Sequence, residues 1–289
     1  MAKQSIRLSG DCSVTKHNTD LSFKPVNNEA PRTLTPSQVD FYNREGYLFP
    51  LNLFSPREAE QNRAYFNGLL AQSEGRNAYA LNCYQTRCAG IYDLCMAERI
   101  LDVVEDIVGP NIICWATHYF CKMPHDEKRV PWHQDASYWK LSPARTVTVW
   151  LAIDDADEEN AAMRFIPRTH DMGPLRWRAA EGPAVLDQEI VDVASLGEPV
   201  SDILKAGQIS LHADMLAHGS EPNASDRRRC GLTLRFCPPE VRIVDEHWKE
   251  SVHAIICRGE DPTGRWEHNP RPDSDDASHQ DDIVSLGGN

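Results

Sequence analysis

No run of apolar residues in this chain is long enough to cross a bilayer. The opening stretch, MAKQSIRLSGDCSVTKHNTD, shows neither the basic nor the apolar region of a secretory leader. A soluble, cytoplasmic protein with no membrane partner is expected. Basic residues are in deficit: 30 Lys and Arg stand against 43 Asp and Glu, a formal net charge of −13. A nucleic-acid partner would need a concentrated basic patch to overcome that balance. The only dense one, Arg227–Arg228–Arg229, is short, so nucleic-acid binding is not expected. None of the nine cysteines belongs to a C-x-x-C pair, which removes the usual zinc and dithiol arrangements. Cys114, Cys121, Cys230 and Cys237 stand in apolar, strand-like stretches and read as buried free thiols in a reducing compartment. No internal repeat is present.

What is present is enough apolar material for a full core: 41% of 289 residues. Residues 1–30 are polar and aperiodic and read as a loose arm. Helical segments follow. LTPSQVDFYNREGYLF has Thr35 as N-cap, Pro36 in the first helical position and Gly46 as its stop. SPREAEQNRAYFNGLLAQ repeats that logic with Ser55 and Pro56, and AERILDVVEDIVG ends at Gly109. The chain then turns to short strands: NIICWATHYFCKM, RTVTVWLAID, MRFIP, QISLH and CGLTLRF. Helices followed by strands predict an α+β fold, with a β-sandwich or jelly-roll core over residues 31–258 and helices packed outside it. From Arg258 the sequence becomes polar and acidic, so 259–289 is expected to be a partly mobile or surface-lying tail.

Within this frame the stretch PWHQDASYWK sets His133 and Asp135 on either side of one residue. On a strand such residues point the same way and can meet one ion. The pattern alone is weak, since His212-Ala213-Asp214 repeats it. Context separates the two. Oxygen-activating non-haem iron takes two imidazoles and a carboxylate on one face and leaves the other face open. His218 lies between two strand-like segments and supplies a second imidazole. Arg229 opens the next strand, where a guanidinium can hold a dicarboxylic acid by two parallel bonds.

From about residue 33 to 237 the chain resembles the phytanoyl-CoA dioxygenase family of Fe(II)/2-oxoglutarate oxygenases. LTPSQVDFYNREGYLF, VGPNIICWATHYFCKMP, WHQD, TVTVWLAIDDADEENAAMRFIPRTH and HGSEPN…R follow in that family's order. The resemblance implies a double-stranded β-helix (jelly-roll) and an enzyme using Fe(II), 2-oxoglutarate and O2 to hydroxylate a C–H bond of a small-molecule substrate. By position it implies His133, Asp135 and His218 as metal ligands and catalytic centre. Arg229 and Ser220 match the groups that hold the far carboxylate of 2-oxoglutarate, and Trp150 lines that pocket. His118 and Asn82 match weaker co-substrate contacts. His212 falls where the family has no ligand and reads as structural, with Asp214 capping a turn. Because Asp135 is an aspartate rather than a small residue, hydroxylation is favoured over halogenation.

Two departures stand out. Where the family usually has a glycine in EN-G-x-L this chain has ENAAM, and where it usually has PGSH this chain has PRTH. Tyr138, Trp139, Arg168, Arg176 and Arg178 are candidates for the substrate side, the RWR segment suiting an anionic metabolite such as a carboxylate or phosphonate. A secondary-metabolite intermediate is the other substrate class. A peroxisomal acyl-CoA role is not expected, given the opening stretch and the terminal LGGN. Two further readings compete: a jelly-roll binder that has lost its chemistry, and a cupin-like metalloenzyme that does not use 2-oxoglutarate.

Overall fold

The computed structural model describes residues 19–73 and 78–278. Five helices are present among these: α1 (Pro36–Glu45), α2 (Pro56–Gln72), α3 (Ala89–Cys95), α4 (Glu98–Val108) and α5 (Glu246–Lys249). The strands are β1 (Tyr47–Asn52), β2 (Ile112–Lys122), β3 (Val130–His133), β4 (Leu141–Ser142), β5 (Val147–Ala152), β6 (Arg164–Phe165) and β7 (Trp177–Ala179). They continue with β8 (Gln188–Ile190), β9 (Val200–Ser201), β10 (Gln208–Ala213), β11 (His218–Ser220), β12 (Arg229–Cys237), β13 (Arg242–Ile243) and β14 (Ile255–Arg258). The expected helix starts are built as capping boxes. Thr35 accepts from the Gln38 backbone N–H while Gln38 returns a bond, and Ser55 and Glu58 do the same. Gly46 closes α1 at φ 85°, a left-handed backbone that suits glycine. The sequence reading did not anticipate the short helices α3 and α5.

The strands form a larger antiparallel sheet in the order β1-β10-β5-β12-β2-β14 and a smaller one in the order β3-β11-β6-β9. The larger sheet is buried on both faces, and its alternation separates two environments. On β12, Cys230, Leu232, Leu234 and Phe236 join the main core with Phe66, Leu69, Ile100 and Val104 from the helices. Arg229, Gly231, Thr233 and Arg235 project from the other face into a cleft bounded by the smaller sheet. β5 and β10 obey the same rule: Val149, Leu151, Ile209 and Leu211 enter the core, while Trp150 and His212 line the cleft. Removing one of these core side chains, as in Leu232→Ala, would cost about 2–5 kcal/mol.

Segments at the chain's ends lie against this body. Phe23 and Val26 pack on the main core, and the Val26 N–H donates to Asn43 Oδ1 at 2.7 Å. Beyond Arg258, Trp266 is buried with Nε1 donating to the Val241 carbonyl at 2.9 Å, Arg271 pairs with Asp93, and Ala277 joins the core. Of the arm expected over residues 1–30 and the tail expected over 259–289, residues 1–18 and 279–289 lie outside the described residues. Eight cysteines among the described residues, Cys83 to Cys257, are free and buried.

The two family departures fall in left-handed backbone. Ala161 has φ 64° and Arg168 φ 69°, each costing about 1–2 kcal/mol for a residue with a Cβ. The loop around Ala161 is held by Asn160, which accepts from the Asp157 N–H and donates to the Asp155 carbonyl. Arg168 is held by Glu45 through two bonds of 2.9 and 3.0 Å. On the cleft's flank, Asp202 is buried, accepts from Ser210 Oγ at 2.7 Å, and has its carboxyl pushed up to about 7 by that burial.

Two outcomes follow. In chemical denaturation, Ala161→Gly is expected to be as stable as the wild type or up to about 1 kcal/mol more so, and Ala161→Val at least about 1 kcal/mol less stable. The Asp202 carboxyl binds its proton more tightly folded than unfolded, where it titrates near 3.9. Its contribution to stability is therefore complete below about pH 4 and is lost as pH rises towards about 7. Measured against Asp202→Asn, the wild type should lose stability across that window, at up to about 1.4 kcal/mol per pH unit, with a flat difference above it.

Candidate active site

His133 ends β3 and lies opposite His218, which opens β11. The strand does not continue to Asp135. A one-turn 3-10 helix, Asp135–Ser137, begins there and turns the carboxylate back towards the imidazoles. The i, i+2 pairing holds in space, but a turn rather than a strand produces it. His133 Nδ1 lies 2.8 Å from the Pro131 carbonyl and His218 Nδ1 lies 2.9 Å from that of Leu216. A carbonyl only accepts, so both Nδ1 atoms carry the proton and both Nε2 atoms offer a lone pair. His133 Nε2 is 3.6 Å from Asp135 Oδ1, and the two rings are 4.1 Å apart. One donor atom from each of His133, Asp135 and His218 fits within 4.8 Å of the others, and all three residues are buried.

Burial alone would raise the Asp135 carboxyl, yet His133, His212, His218 and Arg235 around it hold it well below the usual carboxylate range. Burial, reinforced by His133 and His212, keeps His218 well below the usual imidazole range. The result is an ionised carboxylate beside a neutral imidazole, the protonation a divalent ion requires of its ligands. Thr148 Oγ1 donates to Asp135 Oδ2 at 3.3 Å, and His212 Nε2 sits 3.6 Å from the same oxygen.

The cleft runs from these groups to Arg229. Its guanidinium is buried and fixed by the Ala161 carbonyl at 3.1 Å, the Phe120 carbonyl at 3.5 Å and Ser220 Oγ at 3.1 Å. It also lies 5.7 Å from the centroid of the Trp150 ring. Trp150 needs Gly231 beside it, since a Cβ there would come within 2.0 Å of the indole. Arg229, Ser220 and Trp150 thus share one cavity wall with the triad.

The other sequence candidates are not among the residues that line the cavity. His118 lies opposite Thr233 on the cleft side of the sheet but is not among the residues that line the cavity; its Nε2 is 2.8 Å from the Tyr79 carbonyl, and burial lowers it to about 3. Asn82 pairs with it by a single backbone bridge. Arg168 is committed to Glu45, Arg176 to Asp192 at 2.7 Å and Arg178 to Glu189 at 3.5 Å. The side chain of Arg176 is 81% exposed and that of Arg178 58%, so the RWR segment grips its own hairpin, β7–β8. Tyr138 packs edge-on to His133 at 5.9 Å while its hydroxyl takes part in bonds to Gln188. Trp139 is buried against Trp115.

Sequence reading passed over three residues that line or support the cleft: His212, Thr148 and Arg235. His212 was placed as a strand end without a role; its ring stands 4.6 Å from that of His218. Asp214, by contrast, does accept from a turn N–H, that of Thr146, at 2.9 Å. Strand parity was the available signal. His212 shares a β10 face with Ser210, and Arg235 shares a β12 face with Arg229.

Known proteins agree with this geometry. Over 125 residues the chain is 34% identical to phytanoyl-CoA dioxygenase domain-containing protein 1 of Bos taurus, covering 41% of this chain and 42% of that protein. It thus spans less than half the length of that relative. It is 25% identical over 218 residues to a methylphosphonate hydroxylase of Gimesia maris, covering 71% of this chain and 81% of that one. Among solved structures, the non-haem monooxygenase ThoJ superposes with a TM-score of 0.68 at 28% identity, covering 82% of this chain and 88% of ThoJ. CytC3 with Fe(II) and α-ketoglutarate shares the fold at a TM-score of 0.62 and 21% identity, covering 82% of this chain and 93% of that one. The family profile described as phytanoyl-CoA dioxygenase (PhyH) matches residues 30–231, and the chain belongs to that family.

Proposed function

We propose that the protein is an Fe(II)/2-oxoglutarate-dependent dioxygenase that hydroxylates a C–H bond of a small, anionic metabolite, on a double-stranded β-helix formed by its two facing sheets. The observation that carries this reading is one buried cavity holding two imidazoles each tied at Nδ1 to a backbone carbonyl, one ionised carboxylate and, further along, a fixed guanidinium. The donor set fits ferrous iron: two imidazoles and a single carboxylate occupy one side and leave the cavity side free. When bound, the iron would couple oxidative decarboxylation of 2-oxoglutarate by O2 to oxidation of the substrate.

The chain's own residues do the positioning. His133, Asp135 and His218 would hold the ion. Thr148 holds the Asp135 carboxylate through its hydroxyl, with the His212 ring 3.6 Å from the same oxygen. Arg229, already oriented by three protein acceptors, presents its remaining N–H groups to the far carboxylate of the keto acid, with Ser220 beside it. Trp150, Phe120 and Met163 line the cavity with apolar surface that limits water in it. Asp135 occupies the position that a halide would need, which favours hydroxylation. The methylphosphonate hydroxylase among the relatives supports a small anionic substrate.

An anaerobic titration with Fe(II) and 2-oxoglutarate tests the reading. The wild type should develop the visible charge-transfer band of a chelated keto acid, and release succinate under air. His218→Ala should lose the band and bound iron together. Arg229→Gln should keep bound iron but weaken 2-oxoglutarate about tenfold or more, the scale of one charge-assisted contact. A cupin-like enzyme independent of 2-oxoglutarate would show no such Arg229 effect, and a non-catalytic binder no succinate.

A further inference from the structure

We propose that Arg235 is the anchor for the anionic group, carboxylate or phosphonate, of the substrate, and that it does for the substrate what Arg229 does for the keto acid. This rests on the oxygenase reading above and adds a residue to it. Arg229 and Arg235 project from the same face of β12 into the same cavity, with Gly231 and Thr233 between them. Their environments differ. Arg229 has three protein acceptors, whereas the Arg235 side chain makes no hydrogen bond or ion pair among the described residues, and the negative charge that acts on it is that of Asp135, a candidate metal ligand. It is only 5% exposed, and its Nε is buried with no partner.

What surrounds it is aromatic. The guanidinium carbon lies 5.0 Å from the centroid of the Trp139 ring and 5.8 Å from that of Trp115, and those rings meet edge to face at 4.6 Å. Trp115 Nε1 is also buried without an acceptor. Ring faces stabilise a desolvated cation by less than its withdrawal from water costs. Asp135 supplies negative charge nearby but no hydrogen bond, so the guanidinium keeps donors free for an anion's oxygens in the cavity it lines. In the sheet, Arg235 is in register with Ala116 on one side and Thr148 on the other. Thr148 bonds Asp135, so an anion held here keeps its adjoining carbon next to the metal ligands. The keto acid already has its guanidinium at the other end of the cavity.

The 1-carboxylate of 2-oxoglutarate offers the same chemistry, so the test separates the two sources. Methylphosphonate, 2-aminoethylphosphonate, butyrate and uncharged butyramide are titrated into the Fe(II)- and 2-oxoglutarate-loaded enzyme without oxygen. Tryptophan fluorescence reports the anion, because Trp115 and Trp139 flank the site, and the charge-transfer band reports the keto acid. Wild-type enzyme should respond to at least one anion and not to butyramide. Arg235→Gln should bind that anion at least tenfold more weakly, Arg235→Lys should recover part of the loss, and 2-oxoglutarate affinity should change less than twofold in both. Undiminished anion binding in Arg235→Gln overturns the proposal, as does a silent panel. A tenfold loss of 2-oxoglutarate affinity with anion binding intact assigns Arg235 to the co-substrate instead and also overturns it. Absence of the charge-transfer band in the wild type removes the oxygenase reading, and the fluorescence titration still decides whether Arg235 binds the anion.

Discussion

The alternation of a single strand, β12, governs the molecule. Every one of its nine residues is buried, yet the two faces obey opposite chemistry. One face carries Cys230, Leu232, Leu234 and Phe236 into an apolar core against the helices. The other carries Arg229, Gly231, Thr233 and Arg235 into a polar cleft. A slip of one residue would drive two guanidiniums into the core and four apolar side chains into the cleft. The core therefore fixes the register of the site, and the depth of the core on the helix side is what makes the placement of the arginines rigid.

Rigidity matters because the cleft holds more charge than it neutralises internally. Asp135 is balanced by three histidines and by Arg235, and those neighbours outweigh its burial. Neither arginine makes a hydrogen bond or contact ion pair with a carboxylate among the described residues, and Arg229 is satisfied only by uncharged oxygens. A cation and two oxyanions would complete the set, which is the charge count of a divalent ion, a keto acid and an acidic substrate. The arrangement stores the cost of desolvation in the free protein and recovers it when ligands arrive.

The sequence made this legible to different depths. Helix starts were readable because capping is local: Thr35, Pro36, Ser55 and Pro56 act within one turn of themselves. The strands were readable from alternation, and His133, Asp135, His218 and Arg229 from their order along the chain. The pairing of sheets was not, because it depends on partners far apart, such as His218 with His133. The same distance hides why Arg168, Arg176 and Arg178 serve no cavity: Glu45, Asp192 and Glu189 take them. An arginine's number gives its charge but not its partner. Arg235 went unnoticed for the converse reason, since only a three-dimensional count reveals a cation with none. His212 was discounted for lacking a ligand's position, although a second imidazole layer behind Asp135 needs no position in the metal's own shell.

The departures at Ala161 and Arg168 show what the site actually requires of its loops. Glycine is usual there in the family because the backbone is left-handed, and the side chains that replace it leave φ at 64° and 69°. The conformation outlasts the residue that makes it easy. At Ala161 the reason is the carbonyl, which accepts from Arg229 Nε. Rotating the backbone to a relaxed φ would swing that oxygen away and leave a buried guanidinium with one acceptor fewer, a loss of about 1.5–3 kcal/mol for a charged donor. That exceeds the roughly 1–2 kcal/mol of left-handed strain. At Arg168 the exposed pair with Glu45 offsets less, and the larger restraint is the Arg168 N–H, which donates to the Glu45 carbonyl at 3.0 Å and ties the turn to the end of α1. In both loops the strain is tolerated because the contact it sustains is worth more than the relaxation it forbids.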